Sequence, residues 1–207
     1  MTSSRSYAEF YISESEAMLA ARTRAADLGC VPTGSGAGAA LRFLAAAIGA
    51  KSVVEVGTGA GVSALHLFAG MVPDGIVTSI DVESENLRAA KAAFADAGIA
   101  PARARLINGR GLEVLPRLTD GAYDLVHIDG ARSEYPHYLV EALRLLRPGG
   151  IVVIDDALGN DRVSDPTQRD AETVAIRETG RLMREDENLV PVLIPLSGGV
   201  LAAVKLR

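Results

Sequence analysis

Tryptophan is absent from the 207 residues, and aromatic side chains make up only 4% of them. A chain so poor in rings offers no evident stacking clamp for a flat substrate. Cysteine occurs once, at Cys30. That excludes an internal disulfide framework and fits a reducing, cytoplasmic compartment, with the thiol read as packed. No apolar run approaches the ~18 residues of a membrane span, so no membrane association is expected. The first ten residues are polar and lack the apolar core of a signal peptide, so secretion is not expected. Neither sign of charge dominates: 21 lysines and arginines face 26 acids, for a net charge of −5. A partner rich in phosphate wants a basic face, so nucleic acid is not expected. No repeat or low-complexity tract stands out.

What is present is a chain 48% apolar, enough for one large α/β domain over residues 1–207. Residues 1–50 read as a helical arm and 51–207 as a Rossmann-like core. In the arm, Tyr7, Phe10, Tyr11, Ala17, Met18, Ala21, Ala25 and Leu28 recur at helical spacing, which predicts one helix over 5–28. A loop at 31–36 and an alanine-rich helix over 37–48 follow. The arm serves either as a packing cap or as a lid or dimer surface.

Beyond residue 50, strands and helices alternate. Strands are expected at 52–56, 75–80, 104–107, 123–128 and 151–154, with helices at 62–69, 83–97, 112–118 and 134–146. This alternation implies parallel strands with right-handed crossovers. Residues 157–169 are polar and carry Gly159-Asn160-Asp161. So long a loop in a compact domain favours a functional lid. A helix over 170–184 precedes two strands, 190–196 and 200–206, joined by Ser197-Gly198-Gly199. A terminal antiparallel hairpin is a seven-stranded methyltransferase arrangement, whereas a plain Rossmann dehydrogenase continues with parallel strands.

The stretch VVEVGTGAG, residues 53–61, organises the rest. A β-branched strand feeds a glycine-rich turn and then a helix N-terminus, a device for bringing backbone close to a ligand. Gly57 and Gly59 can take backbone angles closed to other residues, and Gly61 lets the helix pack closely on the sheet. Glu55 is a carboxylate inside a parallel strand and needs a partner. A dinucleotide fingerprint reads G-x-G-x-x-G. Here Gly57-Thr58-Gly59-Ala60-Gly61-Val62 brings the third glycine one residue early. The E-x-G-x-G-x-G pattern resembles motif I of S-adenosylmethionine (SAM) methyltransferases. A nucleotide-phosphate site and a purely structural turn are the other readings. Ser63 lies in the first helical turn, its hydroxyl available to an anion.

Acids recur at strand ends. Asp81 ends the second strand, where a carboxylate suits a ribose diol in dehydrogenases and methyltransferases alike. It could also simply cap the next helix. Asp129 ends the fourth strand and Asp155-Asp156 the fifth. If those strands are adjacent, ~4.8 Å apart, the carboxylates come within reach of one cation. Clustered carboxylates need a counter-charge, and Mg²⁺ or Ca²⁺ matches the oxygen donors. The other reading has Asp155 capping a turn and Asp156 facing solvent.

With these landmarks the chain resembles the cation-dependent O-methyltransferases of the catechol and caffeoyl-CoA type, O-methyltransferase family 3. The resemblance runs from about residue 7 to the end. It is carried by VVEVGTGAGVSAL, TSIDVE, YDLVHIDGARSEYPHYL, LLRPGGIVVIDDAL and VLIPLSGGVLAAVK. It implies a SAM-binding Rossmann-like fold, a divalent metal, and methyl transfer to a hydroxyl of a small catechol-like or phenolic acceptor on a homodimer. By the same resemblance, Glu55, Gly57, Thr58, Gly59 and Gly61 border SAM. Ser63 meets its carboxylate and Asp81 its ribose, while Gly109 and Arg110 lie beside the adenine. Asp129, Asp155 and Asp156 hold the metal, with Asp129 also near the methionine amino group.

Two departures stand out. The family commonly has Asp-Asn where this chain has Asp155-Asp156, which adds a negative charge. It commonly has a lysine as general base where this chain has Arg132. A guanidinium cannot accept the hydroxyl proton, though it can stabilise a phenolate or position an acidic substrate. The expectation is that metal ionises the hydroxyl and that water or a metal-site carboxylate takes the proton. His127 shares a face with Asp129 and reads as a hydrogen-bonded core histidine, His66 as helix packing, and His137 as a weak proton-acceptor candidate. A nucleotide-dependent dehydrogenase and a non-catalytic SAM-binding dimer are the competing functions.

Overall fold

The computed structural model describes residues 4–207; the first three residues of the expected arm lie outside the described residues. Its centre is a seven-stranded sheet built from β1 (Ser52–Val56), β2 (Ile76–Asp81), β3 (Ala104–Asn108), β4 (Tyr123–Ile128), β5 (Leu146–Ile154), β6 (Leu189–Ile194) and β7 (Val200–Lys205). The strand order is β3-β2-β1-β4-β5-β7-β6. The first five strands run parallel, and β7 is antiparallel to both β5 and β6. This is the α/β arrangement with a C-terminal antiparallel hairpin that the alternation and the turn at 197–199 imply.

The sheet is apolar on both faces, as parallel strands sandwiched by helices must be. Val53, Leu125, Ile151 and Val153 meet α2 (Glu16–Asp27), α3 (Ser35–Ala47), α4 (Val62–Gly70) and α5 (Ser84–Asp96) on one side. Val54, Val126, Val152 and Ile154 meet α6 (Gly111–Val114), α7 (Tyr135–Leu145) and α8 (Ala171–Glu185) on the other. The period-two alternation Val53/Val54 assigns each neighbour to its own core. Strand order reverses between β1 and β4, and the loops after those two strands open at one crevice, where open α/β sheets bind ligands.

Four elements differ from expectation. The helix over 5–28 is two helices, α1 (Ser4–Glu9) and α2. Ser15 caps α2 by accepting from the Met18 N–H at 3.3 Å, and Glu14 is drawn inward onto Arg22 and His66. The helix over 112–118 stops at Val114 and tightens into a 3₁₀ turn, Leu115–Arg117, whose Pro116 lacks a donor. The fifth strand begins at Leu146, which pairs with Tyr123, and Arg147-Pro148-Gly149-Gly150 bulges out, with Gly149 at φ +76°, before Ile151 pairs with Leu125. The 157–169 loop contains a 3₁₀ turn, Arg162–Ser164.

Candidate active site

The glycine turn after β1 is tied to its neighbours through backbone. Gly57 N–H donates to Ile80 O at 2.9 Å, and Asp129 N–H donates to Val56 O at 2.8 Å. Gly57 sits at φ +94°, and a Cβ there would lie 2.1 Å from the Asp129 carbonyl oxygen. Only glycine allows this approach, which sets the loop against the end of β4. Gly61, at φ +88°, starts α4 and lies against Ala90 and Phe94 of α5. Its close contact is therefore with a helix, not with the sheet.

Three cavities meet at this crevice, and Asp129 lines all of them. The first, about 170 Å³, runs over Gly57, Thr58, Gly59, Ser63, Asp81 and Asn86. The second, about 410 Å³, continues past Asp81 to Gly109, Arg110, Gly130 and Tyr138. The third, about 330 Å³, holds Asp129, Arg132, Asp155, Asp156, Asn160 and Ser197. Val31, Pro32 and Thr33, between α2 and α3, wall both the first and the third.

Asp81 is held in place by its own chain. It accepts from Gly59 N–H and Glu83 N–H, each at 2.9 Å, and from the Asn86 amide at 3.2 and 3.3 Å. On its far side Asn86 accepts from the Cys30 thiol at 3.1 Å. Arg110 reaches Glu134 at 3.3 Å, and the Tyr138 hydroxyl donates to the same carboxylate. Gly109 and Arg110 therefore sit at the far wall of the second cavity.

Glu55, expected at the border of the cofactor, lies one layer behind the loop and is wholly buried. Its carboxylate accepts from Ser63 Oγ at 2.6 Å and from Ser79 Oγ at 2.5 Å; Ser79 Oγ also shares a hydrogen bond with Thr58 Oγ1. Glu55 thus acts on the loop through hydroxyls. His127 Nδ1 lies 3.3 Å from Glu55, and its Nε2 lies 3.8 Å from Asp155 Oδ2, too far for a hydrogen bond. Burial works against a charged imidazole, but the two flanking carboxylates outweigh it and push His127 up to about 10. It is the hydrogen-bonded core histidine expected, held at Nδ1 by Glu55, while its buried Nε2 has no hydrogen-bond partner. His66 bonds to Glu14 at 2.9 Å instead of merely packing, and His137 is exposed and lines none of the three cavities.

The strand-end acids respond to one another. Burial and the neighbouring Asp155 charge hold Asp129 well above the usual carboxylate range. Asp155 is also buried, but His127 reverses the effect and keeps it below its ordinary value. Burial raises Asp156 even though the Arg132 guanidinium is paired with it. Among the described residues, no three acid, histidine or cysteine side chains are gathered as a metal would need. Asp156 instead turns to Arg132, whose other arm is 3.5 Å from Glu172.

Three site residues escape sequence reasoning. Thr33 Oγ1 donates to Asp129 Oδ2 at 3.4 Å from a distant loop. Asn160 and Ser197 line the third cavity with left-handed backbones, φ +55° and +51°, as does Asp156 at +52°. Such non-glycine strain gathers at functional sites, and the only sequence signal for it was the adjoining glycines.

Comparison with known proteins agrees with this geometry. The O-methyltransferase family profile matches residues 3–206. A provisionally named O-methyltransferase of Mycobacterium avium is 53% identical over 199 residues, 96% of this chain and 90% of that one. A Corynebacterium glutamicum crystal structure superposes with a TM-score of 0.90 at 32% identity, covering 98% of this chain and 95% of that one. The O-methyltransferase TomG of Streptomyces achromogenes, involved in tomaymycin synthesis and solved with SAM, gives 0.88 at 26%, covering 97% and 94%. From a glycine turn set against Asp129, strand-end acids and a full-length match, the conclusion is that this chain belongs to the O-methyltransferase family.

Proposed function

We propose that this chain transfers the methyl group of SAM to a hydroxyl of a small catechol-like or phenolic acceptor. The observation that carries the reading is Asp129. Its carboxylate lies where the cavity of the glycine loop meets the cavity of the acids, so donor and acceptor would share one wall. Asp81 would take the ribose hydroxyls, Gly109 and Arg110 would border the adenine, and Ser63 and Asp129 would face the methionine end. That TomG was solved with SAM supports SAM as the cofactor by analogy.

A hard divalent cation is part of the reading, although the described residues do not gather three acid, histidine or cysteine side chains around one point. Asp129, Asp155 and Asp156 line one cavity with carboxylate oxygens, and burial together with the neighbouring Asp155 charge raises Asp129 above the usual carboxylate range. These three side chains would hold the ion, and Asp156 would have to leave Arg132 to do so. When bound, such an ion lowers the pKa of a coordinated hydroxyl.

The chain's own residues align and shelter the reactants. The reaction breaks the S–CH₃ bond, forms an O–CH₃ bond and releases the hydroxyl proton to water or to one of the carboxylates. Arg132 stays protonated, because Asp156 and Glu172 outweigh its burial, so it orients the acceptor or steadies its oxyanion and does not act as base. Proximity contributes much of the rate.

A homodimer is part of the reading. Phe43, Val190 and Val192 are apolar and half or more exposed. No helix among the described residues is long and apolar enough to cross a membrane, and the single thiol suits the cytoplasm.

The test is methyl transfer from SAM to a panel of catechols and phenols, with and without EDTA. We expect turnover that EDTA abolishes. Turnover that survives full chelation removes the metal from the reading. Binding of NAD⁺ without binding of S-adenosylhomocysteine overturns it altogether.

A further inference from the structure

None of the side chains of α1 is buried, so apolar packing alone does not explain where this helix lies. Its last residue, Glu9, fixes it. The Glu9 carboxylate accepts from Gly36 N–H at 2.9 Å, from Ser197 N–H at 2.8 Å and from Ser197 Oγ at 2.6 Å. Ser197 Oγ in turn accepts from Ala37 N–H at 3.1 Å, and Arg5 donates to Ser197 O at 3.1 Å. Gly36 and Ala37 lie in the first turn of α3, whose N-cap Gly34 has no side chain to satisfy those amides. The missing acceptors come from Glu9, 27 residues before Gly36, and from Ser197, 160 residues after Ala37. Burial raises the Glu9 carboxyl, but the bonds from Ser197 and Gly36 outweigh it and hold it below its ordinary value.

Both ends of this network reach the third cavity. Gly34, Ser197 and Gly198 line it, and Glu9 itself does not. Gly34 and Ser197 touch: a Cβ on Gly34 would lie 2.1 Å from Ser197 Oγ. The loop after α2 and the β6–β7 turn therefore meet at one corner of the cavity, with Glu9 behind the seam. We infer that Glu9 is a positioning residue for the methyl acceptor: it locks that loop to that turn and closes this corner of the third cavity. The inference rests on the reading of the third cavity as the acceptor side, and it needs no ion there. Ser197 keeps a left-handed backbone, φ +51°, which the lock maintains and a free turn would relax. The cofactor side of the same loop has a separate brace, Arg22, which donates to Thr33 O at 2.8 Å. Loss of Glu9 therefore loosens the acceptor wall and leaves the cofactor wall in place.

The experiment compares the unaltered chain with Glu9→Ala and with Glu9→Gln, which sets an amide donor against N–H groups. Glu9→Gln serves alone if the alanine variant does not fold. Amide hydrogen exchange reads the lock: segments 34–37 and 196–199 should exchange faster in the variants, with the central strands unchanged. Methyl transfer from SAM to the best acceptor of a catechol and phenol panel reads the function. KM for that acceptor should rise about five- to tenfold, the net worth of one hydrogen bond, while kcat stays within about twofold and the calorimetric affinity for S-adenosylhomocysteine is unaltered. Unchanged exchange in both segments overturns the lock. Faster exchange with an unchanged KM overturns the positioning role and leaves Glu9 a structural tie. A rise in KM matched by an equal loss of S-adenosylhomocysteine affinity means general loosening of the site and overturns it too. An unaltered chain that methylates none of the panel overturns the acceptor reading beneath the inference, and the inference with it.

Discussion

The smallest feature with the largest consequence is the missing side chain at Gly57. A methyl group there would lie 2.1 Å from the Asp129 carbonyl oxygen, in a backbone conformation that L-residues avoid. The neighbour is backbone held by the β1–β4 ladder, so it cannot step aside as a flexible side chain would. Gly57→Ala should cost about 2–4 kcal/mol, combining strain and overpacking. It should also abolish S-adenosylhomocysteine binding, since the loop and Asp129 must separate. Urea unfolding and calorimetry check both effects; an unaltered midpoint together with unaltered affinity would refute the argument. At this scale much of the site was legible. Asp81, Asp129 and Asp155 each follow a β-branched run, and a parallel strand leaves its carboxyl end at the crevice. Glu55 was legible as an oddity but not in its role. That role depends on Ser63, eight residues away, and on Ser79 from the next strand.

Among the elements, the seam between α2 and α4 carries a buried ion pair that the helical spacing concealed. Glu14 accepts from Arg22 at 2.6 and 2.7 Å and from His66 at 2.9 Å. Burial raises Glu14, but the Arg22 bonds dominate and bring it down to about 2. Burial holds His66 below its ordinary value in spite of Glu14, because Arg22 already neutralises that carboxylate. The imidazole is thus neutral at pH 7 and donates Nε2–H. Arg22 also donates to Thr33 O at 2.8 Å, so the seam braces the loop that walls the cavities. A depressed carboxyl pKa gives stability that is present above the ordinary value of 4.5 and lost as pH falls toward 2. Glu14→Gln should therefore be less stable than the unaltered chain by about 2–3 kcal/mol at pH 7, and the gap should close as pH falls from 4.5 toward 2. Urea unfolding across that range reads it, and a gap independent of pH would reject the ion pair as its source. The break between α1 and α2 has the same origin. Helical spacing runs through residues 5–28 and hides the break, which the Ser15 cap marks locally and which Glu14 fixes by turning inward to Arg22, eight residues on, and to His66, 52 residues on.

For the molecule as a whole, the sheet has one edge that it does not finish. The element sequence made the hairpin legible, but strand order belongs to tertiary packing: β7 lies inside β6, against β5. This leaves β6 as the edge, with no helix fully covering it. Val190 and Val192 pair with Val204 and Ala202, which belong to the core beneath α3. Cross-strand partners share a face, so Val190 and Val192 extend that core's floor past its cover, and they stand 54% and 50% exposed. On α3 itself Phe43 is 70% exposed. An apolar floor continued beyond its helix, on a strand with open backbone groups, is a surface that proteins normally cover. A second copy would cover it, and a two-fold arrangement would place the same patch on both partners. Sedimentation should then give about twice the 21.6 kDa chain mass. Val192→Asp should shift it to the monomer by placing an unpaired carboxylate in the contact, with the folded chain retaining its circular dichroism. A Val192→Asp chain that still sediments as a dimer would move the interface elsewhere, and an unaltered chain that sediments as a monomer would leave this edge without a second copy to cover it.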